Sequence, residues 1–536
     1  MDKERADEEF CLDALSDYSN YSESESDGDI SDDDSSDSSI NTRKPRRLLP
    51  LQYSDSEDND DTTEVNIDTW STNDKSIILE PFEGSPGLKI LPKSEASVRD
   101  IVNLFIGDDL LEYLVKESNR YHYQVTNKYK NISKTKKWVD ITFPEMKQFL
   151  GLIVLMGQVK KERLHDYWST DQSIETPFFA KVMSRSRFMQ IMQSWHFCNN
   201  EDISTNSNRL VKVQPVINYL KKMFVDVYTP CQQLSLDECI IPWRGRLSFR
   251  TYNPAKIVKY GILVRAVCEA HTGYICNFQV YACQGMKLEN TILEVIDPYK
   301  NLWYHIYQDN YYNSVHMAEV LLQNKVRVCG TIRKNRGLPQ CLQNIALSKG
   351  QATFRRKNDI LLQIWNNGKR NVNMISTIHS ARIMESGSVN RKSHIPIQKP
   401  ESIISYNKYM KGVDRADQYL SYYSIFRKTK KWTKRVVMFL INCALFNSFK
   451  TYTTLNGRKM TYKKFLHKAA LSWISDVSST DSQSDETDSN NNLNTSEPTR
   501  RAPKSDHPER LSCIKKHKLI RIVTSGKSKK PQKQCR

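Results

Sequence analysis

Three aspartates, Asp237, Asp309 and Asp414, have the side-chain type and surroundings for metal-dependent chemistry. Asp309 lies in the apolar-aromatic run WYHIYQDNYYN, and Asp237 lies in the apolar run LSLDECII. A carboxylate in such surroundings is costly unless a metal ion, a base or a hydrogen-bond network accompanies it. Their spacing carries no information in a chain with 61 acidic residues, and each alone could be a surface carboxylate or a helix cap.

Three converging carboxylates would suit the hydrolysis or transfer of phosphodiester bonds. Two divalent cations about 4 Å apart activate the attacking water or hydroxyl and stabilise the leaving oxygen. Magnesium prefers oxygen ligands. We therefore expect two Mg²⁺ ions, with Mn²⁺ as a possible substitute, at Asp237, Asp309 and Asp414.

Basic residues follow each of these aspartates along the chain. Arg and Lys neutralise phosphates, and an exposed Trp can stack on an unpaired base, although packing in the core is an equally good interpretation for a Trp. The predicted DNA-binding residues are Arg244, Arg246 and Lys256 after Asp237, Arg333 and Arg336 after Asp309, and Lys428, Lys431, Trp432, Lys434 and Arg435 after Asp414.

The elements that position the aspartates belong to a predicted α/β domain. QLSLDECII alternates like a strand, and KYGILVRAVCEA and GYICNFQVYAC form a predicted hairpin. Helix LENTILEVI, strand LWYHIYQDN, helix SVHMAEVLLQN and strand VRVCGTIR follow. This order is compatible with an RNase H-like core, although several α/β folds share parts of it.

Helices are predicted on both sides of this domain. VRDIVNLFIGDDLLEYLVKESN, PEMKQFLGLIVLMGQV and SRSRFMQIMQSWHF show helical spacing of apolar residues before it. After it come the helical YNKYMKGVDRADQYLSYYS and the strongly apolar KWTKRVVMFLINCALFNSFKTY. The basic residues of the last segment favour a buried bundle helix over a membrane span.

Charge is distributed unevenly along the 536 residues. Residues 1–70 carry 22 acidic and 6 basic residues, and the rest of the chain carries 39 acidic and 73 basic residues. The acidic segment is too poor in apolar side chains to fold alone. The basic remainder predicts a polyanionic partner, double-stranded DNA, with a solvated basic surface as the alternative. No membrane partner and no small-molecule substrate are expected.

The twelve cysteines form no CxxC pair and no Cys/His cluster with zinc-site spacing, so no structural zinc is expected. No signal peptide and no apolar run of about 18 residues is evident. These features fit a reducing compartment, the nucleus or the cytosol. The basic cluster at Lys44, Arg46 and Arg47 favours the nucleus.

Four segments resemble the motif blocks of piggyBac transposases and of proteins derived from them. They are SLDECIIPWRGRLSFRTYNPAKIVKYGILV, YHIYQDNYYNS, CGTIRKNRGLP and YNKYMKGVDRADQYLSYYS, in the same order and with similar spacing. The resemblance runs from about residue 98 to 475. It implies cut-and-paste transposition at TTAA targets with magnesium, catalytic roles for Asp237, Asp309 and Asp414, and a supporting metal-site role for Asp417.

The resemblance also implies an RNase H-like catalytic core with a β-rich insertion, a mainly helical dimerisation and DNA-binding domain, and a homodimer. Together with the patterns above, it divides the chain into an acidic disordered region (1–95), a first helical part (96–231), a first catalytic part (232–335), a β-rich insertion domain (336–400), a last catalytic part (401–423), a second helical part (424–474) and a disordered linker with a basic tail (475–536).

Family transposases usually end in a cysteine-rich zinc finger that helps to recognise transposon ends. Here the sequence ends at KKPQKQCR, and we expect no finger after Cys535. Two alternatives to a working transposase therefore stay open. One is a domesticated, transposase-derived nuclear DNA-binding protein without autonomous transposition. The other is a chromatin interaction scaffold, which has no need for three clustered carboxylates.

Overall fold

The structure is a computed structural model. It describes residues 70–90, 96–128, 138–204, 208–254, 256, 258–283, 285–389, 394, 396–457 and 460–475, and two short strands at 519–521 and 533–535. The predicted disorder of residues 1–69 and most of the predicted linker and basic tail lie outside the described residues.

The helical segments of the described residues match most of the predicted ones. They are α1 (Val98–Asn103), α2 (Asp108–Lys128), α3 (Phe143–Gln158), α4 (Pro177–Val182), α5 (Arg185–Ser194), α6 (Gln214–Val227), α7 (Leu288–Val295), α8 (Val315–Gln323), α9 (Gln340–Gln343), α10 (Glu401–Tyr409), α11 (Gly412–Tyr422), α12 (Trp432–Asn456) and α13 (Tyr462–Ser475).

The strands are β1 (Gly87–Leu88), β2 (Tyr228–Thr229), β3 (Gln233–Pro242), β4 (Thr251–Tyr252), β5 (Tyr260–Glu269), β6 (Ile275–Val280), β7 (Tyr304–Gln308), β8 (Val326–Thr331), β9 (Ala352–Lys357), β10 (Ile360–Asn366), β11 (Asn371–Ser376), β12 (Ile383–Val389), β13 (Pro396–Pro400), β14 (Leu519–Arg521) and β15 (Lys533–Cys535).

Local hydrogen bonds explain where the N-terminal helices begin and end. Helix α3 begins at a capping box in which Thr142 accepts from the Glu145 amide and Glu145 accepts from the Thr142 amide. The helical run predicted over 98–119 is divided into α1 and α2. Between them the amide of Gly107 donates to the Tyr219 hydroxyl of α6 at 3.3 Å.

A single mixed sheet of nine strands lies at the centre of the fold. Its order is β4–β5–β3–β7–β8–β11–β10–β9, with β6 also paired to β5. Strands β3, β7 and β8 are parallel, and the other ladders are antiparallel. Helices α6 and α7 pack on β6, α8 packs on β8, and α11 packs on β3 and β5. All five residues of β7 are buried, as expected for a central parallel strand.

Helix α12 is buried along most of its length and is tied to the sheet. The Asn447 side chain accepts from the Ile275 amide at 2.8 Å and donates to the Ile275 carbonyl at 2.9 Å. The helix thereby satisfies backbone groups of the edge strand β6. No helix among the described residues is long and apolar enough to span a membrane.

The predicted disorder of residues 1–95 is wrong for residues 70–90, which we call the strap. Ser71 forms an antiparallel bridge with Arg356 of β9, and β1 pairs with β2. The acidic side chains of the strap bind buried arginines of the sheet, Asp74 to Arg356 and Glu80 to Arg327. These ion pairs hold a polar segment that has too few apolar residues to fold on its own.

Most strands of the predicted β-rich insertion domain over 336–400 join the central sheet. Strand β11 pairs with β8, with Met374 opposite Thr331, so that β9, β10 and β11 extend the central sheet. Among the described residues of this range, β12 and β13 form a separate two-stranded sheet. Strand β11 pairs with the side of β8 that β7 leaves open, because a sheet edge readily accepts a further strand.

The two short strands β14 and β15 belong to a second unit of the chain, residues 480–536. Its described part is an antiparallel pair of strands, β14 and β15, with Leu519 opposite Cys535. The described residues of this unit therefore include a strand pair where the sequence predicts disorder.

Candidate active site

Two of the predicted catalytic aspartates lie side by side at one edge of the sheet. Strands β3 and β7 are parallel, and Leu236 lies opposite Gln308 in their register. The next residue in each strand direction is an aspartate, Asp237 in β3 and Asp309 directly after β7. The sequence folds this way because the apolar residues of β3 and β7 that precede the two aspartates pack in the core.

The other two acidic residues are carried by α11, which is closely packed on the same sheet. A Cβ on Gly412 would lie 2.2 Å from Ser235 Oγ, so only glycine allows the start of the helix to approach β3 this closely. Arg415 Nη1 donates to the Ala270 carbonyl at 2.7 Å. Asp414 is exposed in the first turn of α11, and Asp417 lies one turn further along.

The turn between β5 and β6 also packs against α11. Gly273 has a φ of +80°, a left-handed conformation that favours glycine. A Cβ there would lie 3.1 Å from Cβ of Arg415 and 3.2 Å from the carbonyl of Gly412. Beside this turn, Arg415 also donates to the carbonyl of His271. The helix bearing Asp414 is therefore fixed to the sheet through backbone contacts.

Electrostatics couples these carboxylates. Burial raises the pKa of Asp309 above its usual value, and the nearby Asp237 raises it further. Burial raises the pKa of Asp417 to about 7, with further contributions from Asp237 and Asp414, while Lys256 opposes the rise. The raised pKa values of Asp309 and Asp417 indicate crowded negative charge, and a divalent cation would stabilise the ionised carboxylates.

Two residues that sequence reasoning missed adjoin the site. Glu238 accepts a 2.5 Å hydrogen bond from the Tyr312 hydroxyl. Burial and the neighbouring Asp237 raise the pKa of Glu238 to about 8. The bond links β3 to the segment after Asp309, the two elements that carry the first two aspartates. The adjacent acids in SLDE and the paired tyrosines in DNYYN were the available signals.

Lys256 faces the carboxylates, whereas the sequence predicted a DNA-binding role. Its Nζ lies 3.5 Å from Asp237 Oδ1 and 2.7 Å from the Glu238 carbonyl. Burial lowers the pKa of Lys256, but Asp237, Glu238 and other nearby carboxylates raise it more, and the net shift is upward. In this structure Lys256 neutralises the acidic cluster.

The acidic cluster suits a divalent metal in its donor chemistry. Carboxylate oxygens are the ligands that magnesium and manganese prefer. Asp237, Asp309, Asp414 and Asp417 supply them from β3, β7 and α11. Within the described residues, no group of three or more His, Cys, Asp or Glu is already arranged to hold a metal ion. The predicted metal ligands therefore remain a prediction.

Four of the predicted DNA-binding arginines follow strands of the central sheet. Arg244 and Arg246 are exposed in the loop after β3. Arg333 and Arg336 are partly exposed after β8, and Arg333 Nε donates to the Asn310 side chain at 3.3 Å. Asn310 directly follows Asp309, so the structure places Arg333 beside the candidate site.

The basic run before and within α12 divides into exposed and buried residues. Lys428 and Lys431 are exposed, and Lys431 Nζ donates to the Tyr121 hydroxyl at 2.9 Å. Arg435 lies 4.6 Å over the Phe426 ring. Trp432 packs edge-on against Phe249 with ring centroids 5.2 Å apart, which favours core packing over base stacking.

Lys434 does not fit the predicted DNA-binding role. It is only 4% exposed, and its ammonium donates to the backbone carbonyls of Met192 and Gln193 at the end of α5. Burial lowers its pKa well below the usual value. A lysine in a basic run was predicted to face solvent, but the carbonyls of α5 bind its ammonium inside the fold.

Residues 97–449 match the protein-family model described as Transposase IS4, which covers more than half of the chain. The chain belongs to the piggyBac-type transposase family. This confirms the resemblance inferred from the four motif blocks.

Among piggyBac relatives of Homo sapiens, PiggyBac transposable element-derived protein 3 is 25% identical over 397 residues, which is 70% of this chain and 64% of that protein. PiggyBac transposable element-derived protein 2 is 23% identical over 388 residues, 68% of this chain and 63% of that protein. This chain thus spans less than two thirds of the length of either relative.

A solved structure is also similar to this chain. It is described as a cryo-EM structure of piggyBac transposase synaptic complex with hairpin DNA, and the TM-score is 0.65 at 25% identity. The match covers 73% of this chain and 83% of the other. The mixed α/β fold with a central sheet and packed helices is therefore that of a piggyBac transposase.

Proposed function

We propose that this chain is a DNA transposase that cuts and rejoins phosphodiester bonds at TTAA sites, using Asp237, Asp309 and Asp414. The observation that carries the proposal is that Asp237, within β3, and Asp309, directly after β7, are the next residues beyond the last pair of the parallel β3–β7 ladder. Helix α11, which packs on β3, carries Asp414. Membership of the transposase family supports the same reaction class.

The sheet topology supports an RNase H-like core. Strands β6, β5 and β3 form an antiparallel series, and β7 and β8 continue parallel to β3. In that arrangement the first and fourth strands of the core are neighbours, which is where the first two aspartates lie. The third carboxylate then comes from a later helix on the same sheet, as Asp414 does.

Each site residue has a distinct proposed role. Asp237, Asp309 and Asp414 would hold two magnesium ions, and Asp417 would support them from one helical turn further along α11. Bound there, the ions would supply the positive charge that activates a water or hydroxyl and stabilises the leaving oxygen. Glu238 and Tyr312 keep the two strand segments in register through their hydrogen bond.

We propose that double-stranded DNA binds across the edge of the sheet that bears the aspartates. Arg333, beside Asp309, and the exposed Arg244 and Arg246 can neutralise backbone phosphates. The basic excess of residues 71–536 favours the same polyanion. The similar solved structure is a complex with hairpin DNA, which supports DNA as the substrate.

We also propose that the chain acts as a homodimer in the nucleus. Both statements follow from the family resemblance and from the basic cluster near residue 44. Light scattering of the full chain with and without duplex DNA measures the oligomeric state. A monomer under both conditions would contradict the dimer.

A domesticated DNA-binding protein is the second candidate function. The observation that favours it is that relatives in Homo sapiens are named transposable element-derived proteins. Such a protein would bind DNA through the same basic residues and would not excise an element. The two candidates therefore differ in strand cleavage and agree in DNA binding.

Excision of a donor element separates the two candidates. The full chain is supplied with a DNA donor flanked by terminal repeats of a closely related element, and precise TTAA repair is scored. Wild-type excision that is lost in Asp309→Asn, with duplex binding retained, is the expected result. Asp297→Asn is the matched control, because Asp297 is 71% exposed and pairs with Lys300 away from the site.

The opposite result is equally informative. Excision that persists in Asp309→Asn at the wild-type level would contradict the three-aspartate site. DNA binding without excision by the wild type would favour the domesticated protein.

A further inference from the structure

One lysine lies among the carboxylates of the candidate active site. The Nζ of Lys256 is 3.5 Å from Asp237 Oδ1 and 2.7 Å from the carbonyl oxygen of Glu238. Asp414 and Asp417 on α11 also act electrostatically on this ammonium. Lys256 is therefore a cation shared by acidic residues from two elements, β3 and α11.

The contact geometry is that of a replaceable cation. A lysine ammonium is a compact point charge on a flexible stem, unlike the rigid fork of an arginine. Its distance to Asp237 is longer than that of a close charge-assisted hydrogen bond. The side chain is 28% exposed, so it has a path to solvent.

The carboxylates need such a counter-charge when no metal is bound. Burial and mutual repulsion raise the pKa of Asp417, while Lys256 lowers it. Lys256 likewise lowers the pKa of Asp309. Neighbouring like charges in a partly buried cluster destabilise the fold unless a cation accompanies them.

We propose that Lys256 is the internal counter-cation of the metal-free site, and that divalent ions displace it toward the DNA backbone. The proposal rests on the proposed function, because it takes these carboxylates to be the metal site. It gives Lys256 two positions, one on the carboxylates before metal binding and one on a phosphate afterwards. Lys256 is thus a positioning residue for the carboxylates.

This role predicts opposite changes in stability and metal affinity. Lys256→Gln removes the charge that holds the metal-free cluster, so the melting temperature in EDTA falls. The same variant removes a competitor for the carboxylates, so Mn²⁺ binds on the order of tenfold more tightly. A merely structural lysine would lower the stability and weaken the binding together. Lys256→Arg keeps the charge and should restore wild-type melting.

The experiment uses the full chain without DNA. Mn²⁺ alone is titrated and its binding is followed by isothermal calorimetry, and thermal unfolding is measured in EDTA. Lys349→Gln, which neutralises an exposed lysine in the loop before β9, is the charge-matched control and should change neither quantity. Asp237→Asn should weaken Mn²⁺ binding.

The outcomes separate the two proposals. If Lys256→Gln binds Mn²⁺ as the wild type does or more weakly, while Asp237→Asn loses binding, the role of Lys256 is overturned and the metal site stands. If the wild type binds no Mn²⁺, or Asp237→Asn binds it unchanged, the metal site itself is overturned, and the role of Lys256 falls with it.

Discussion

Deleting residues 1–95 should lower the unfolding free energy by about 4–6 kcal/mol, whereas deleting residues 1–69 should leave it unchanged. The strap, residues 70–90, precedes the family match that begins at residue 97. Its contacts nevertheless reach across the sheet. Glu80 Oε2 lies 3.0 Å from Nε and 2.6 Å from Nη2 of Arg327, and Asp74 binds Arg356.

The magnitude follows from the burial of the two arginines. Arg327 is 1% exposed and Arg356 is 3% exposed. Removing one partner of a buried ion pair costs about 3–5 kcal/mol. Glu80 is 37% exposed, and Asp359 also contacts Arg327 at 3.2 Å, so solvent and the second carboxylate reduce the cost. We therefore expect Glu80→Gln to lower the unfolding free energy by about 1–2 kcal/mol.

Losing the whole strap removes both carboxylates and the edge contact of Phe82 with Tyr304, whose ring centroids are 4.8 Å apart. Together these losses amount to about 4–6 kcal/mol. A typical domain has only about 5–15 kcal/mol of stability. The strap is therefore part of the folded domain, although most of its residues are polar.

Urea denaturation of the full chain, of the two deletions and of Glu80→Gln measures these changes. Glu83→Gln is the matched control, because Glu83 is an exposed carboxylate of the same strap. The reasoning is refuted if the protein lacking residues 1–95 unfolds at the same urea concentration as the protein lacking residues 1–69. It is also refuted if Glu83→Gln costs as much as Glu80→Gln.

Two further predictions concern charged residues near the site. Lys428→Gln should reduce the slope of log Kd against log salt for duplex DNA by about 0.9, because an exposed lysine contributes one phosphate contact. The control Lys434→Met, which replaces a buried lysine, should leave the slope unchanged. Equal slopes for the two variants would contradict this prediction. Asp417 has a folded pKa of about 7 against an ordinary 3.8, so its ionised form destabilises the metal-free fold at high pH, and this penalty is lost as the pH falls through 7 toward 4. Asp417→Asn should therefore stabilise the metal-free protein at pH 8 by at most about 4 kcal/mol, and should have little effect at pH 4. Urea unfolding in EDTA at both pH values tests this. Stabilisation at pH 4 alone would contradict the expected pH dependence.

The strands of the core could be predicted because their apolar pattern is local. QLSLDECII alternates with period two, and LWYHIYQDN is a continuous apolar run with a carboxylate at its end. Each pattern predicts a strand, and the structure has Asp237 within β3 and Asp309 directly after β7. The parallel register that makes Asp237 and Asp309 neighbours joins segments 72 residues apart, and no local pattern contains it.

The errors arose where a partner far along the chain decides the outcome. The strap was predicted to be disordered because Glu80 and its partner Arg327 are 247 residues apart. Lys434 was predicted to be exposed because its basic neighbours are, although carbonyls of α5 bind its ammonium. The strands after residue 350 were assigned to a separate domain because their own pattern does not reveal that β11 pairs with β8. Tertiary contacts override local patterns in all three cases.

The separation of 105 residues between Asp309 and Asp414 does not leave the third carboxylate loosely positioned. Strands β9, β10 and β11 of the intervening chain extend the same sheet that carries Asp309. Helix α11 is in turn fixed to β3 and β5 at Gly412 and Arg415. A site that must hold charges in place before the reaction requires such rigid support. Substitutions of Gly412 or Arg415 that weaken the packing of α11 on the sheet should therefore impair strand cleavage although every aspartate is retained. DNA binding through the exposed arginines should persist.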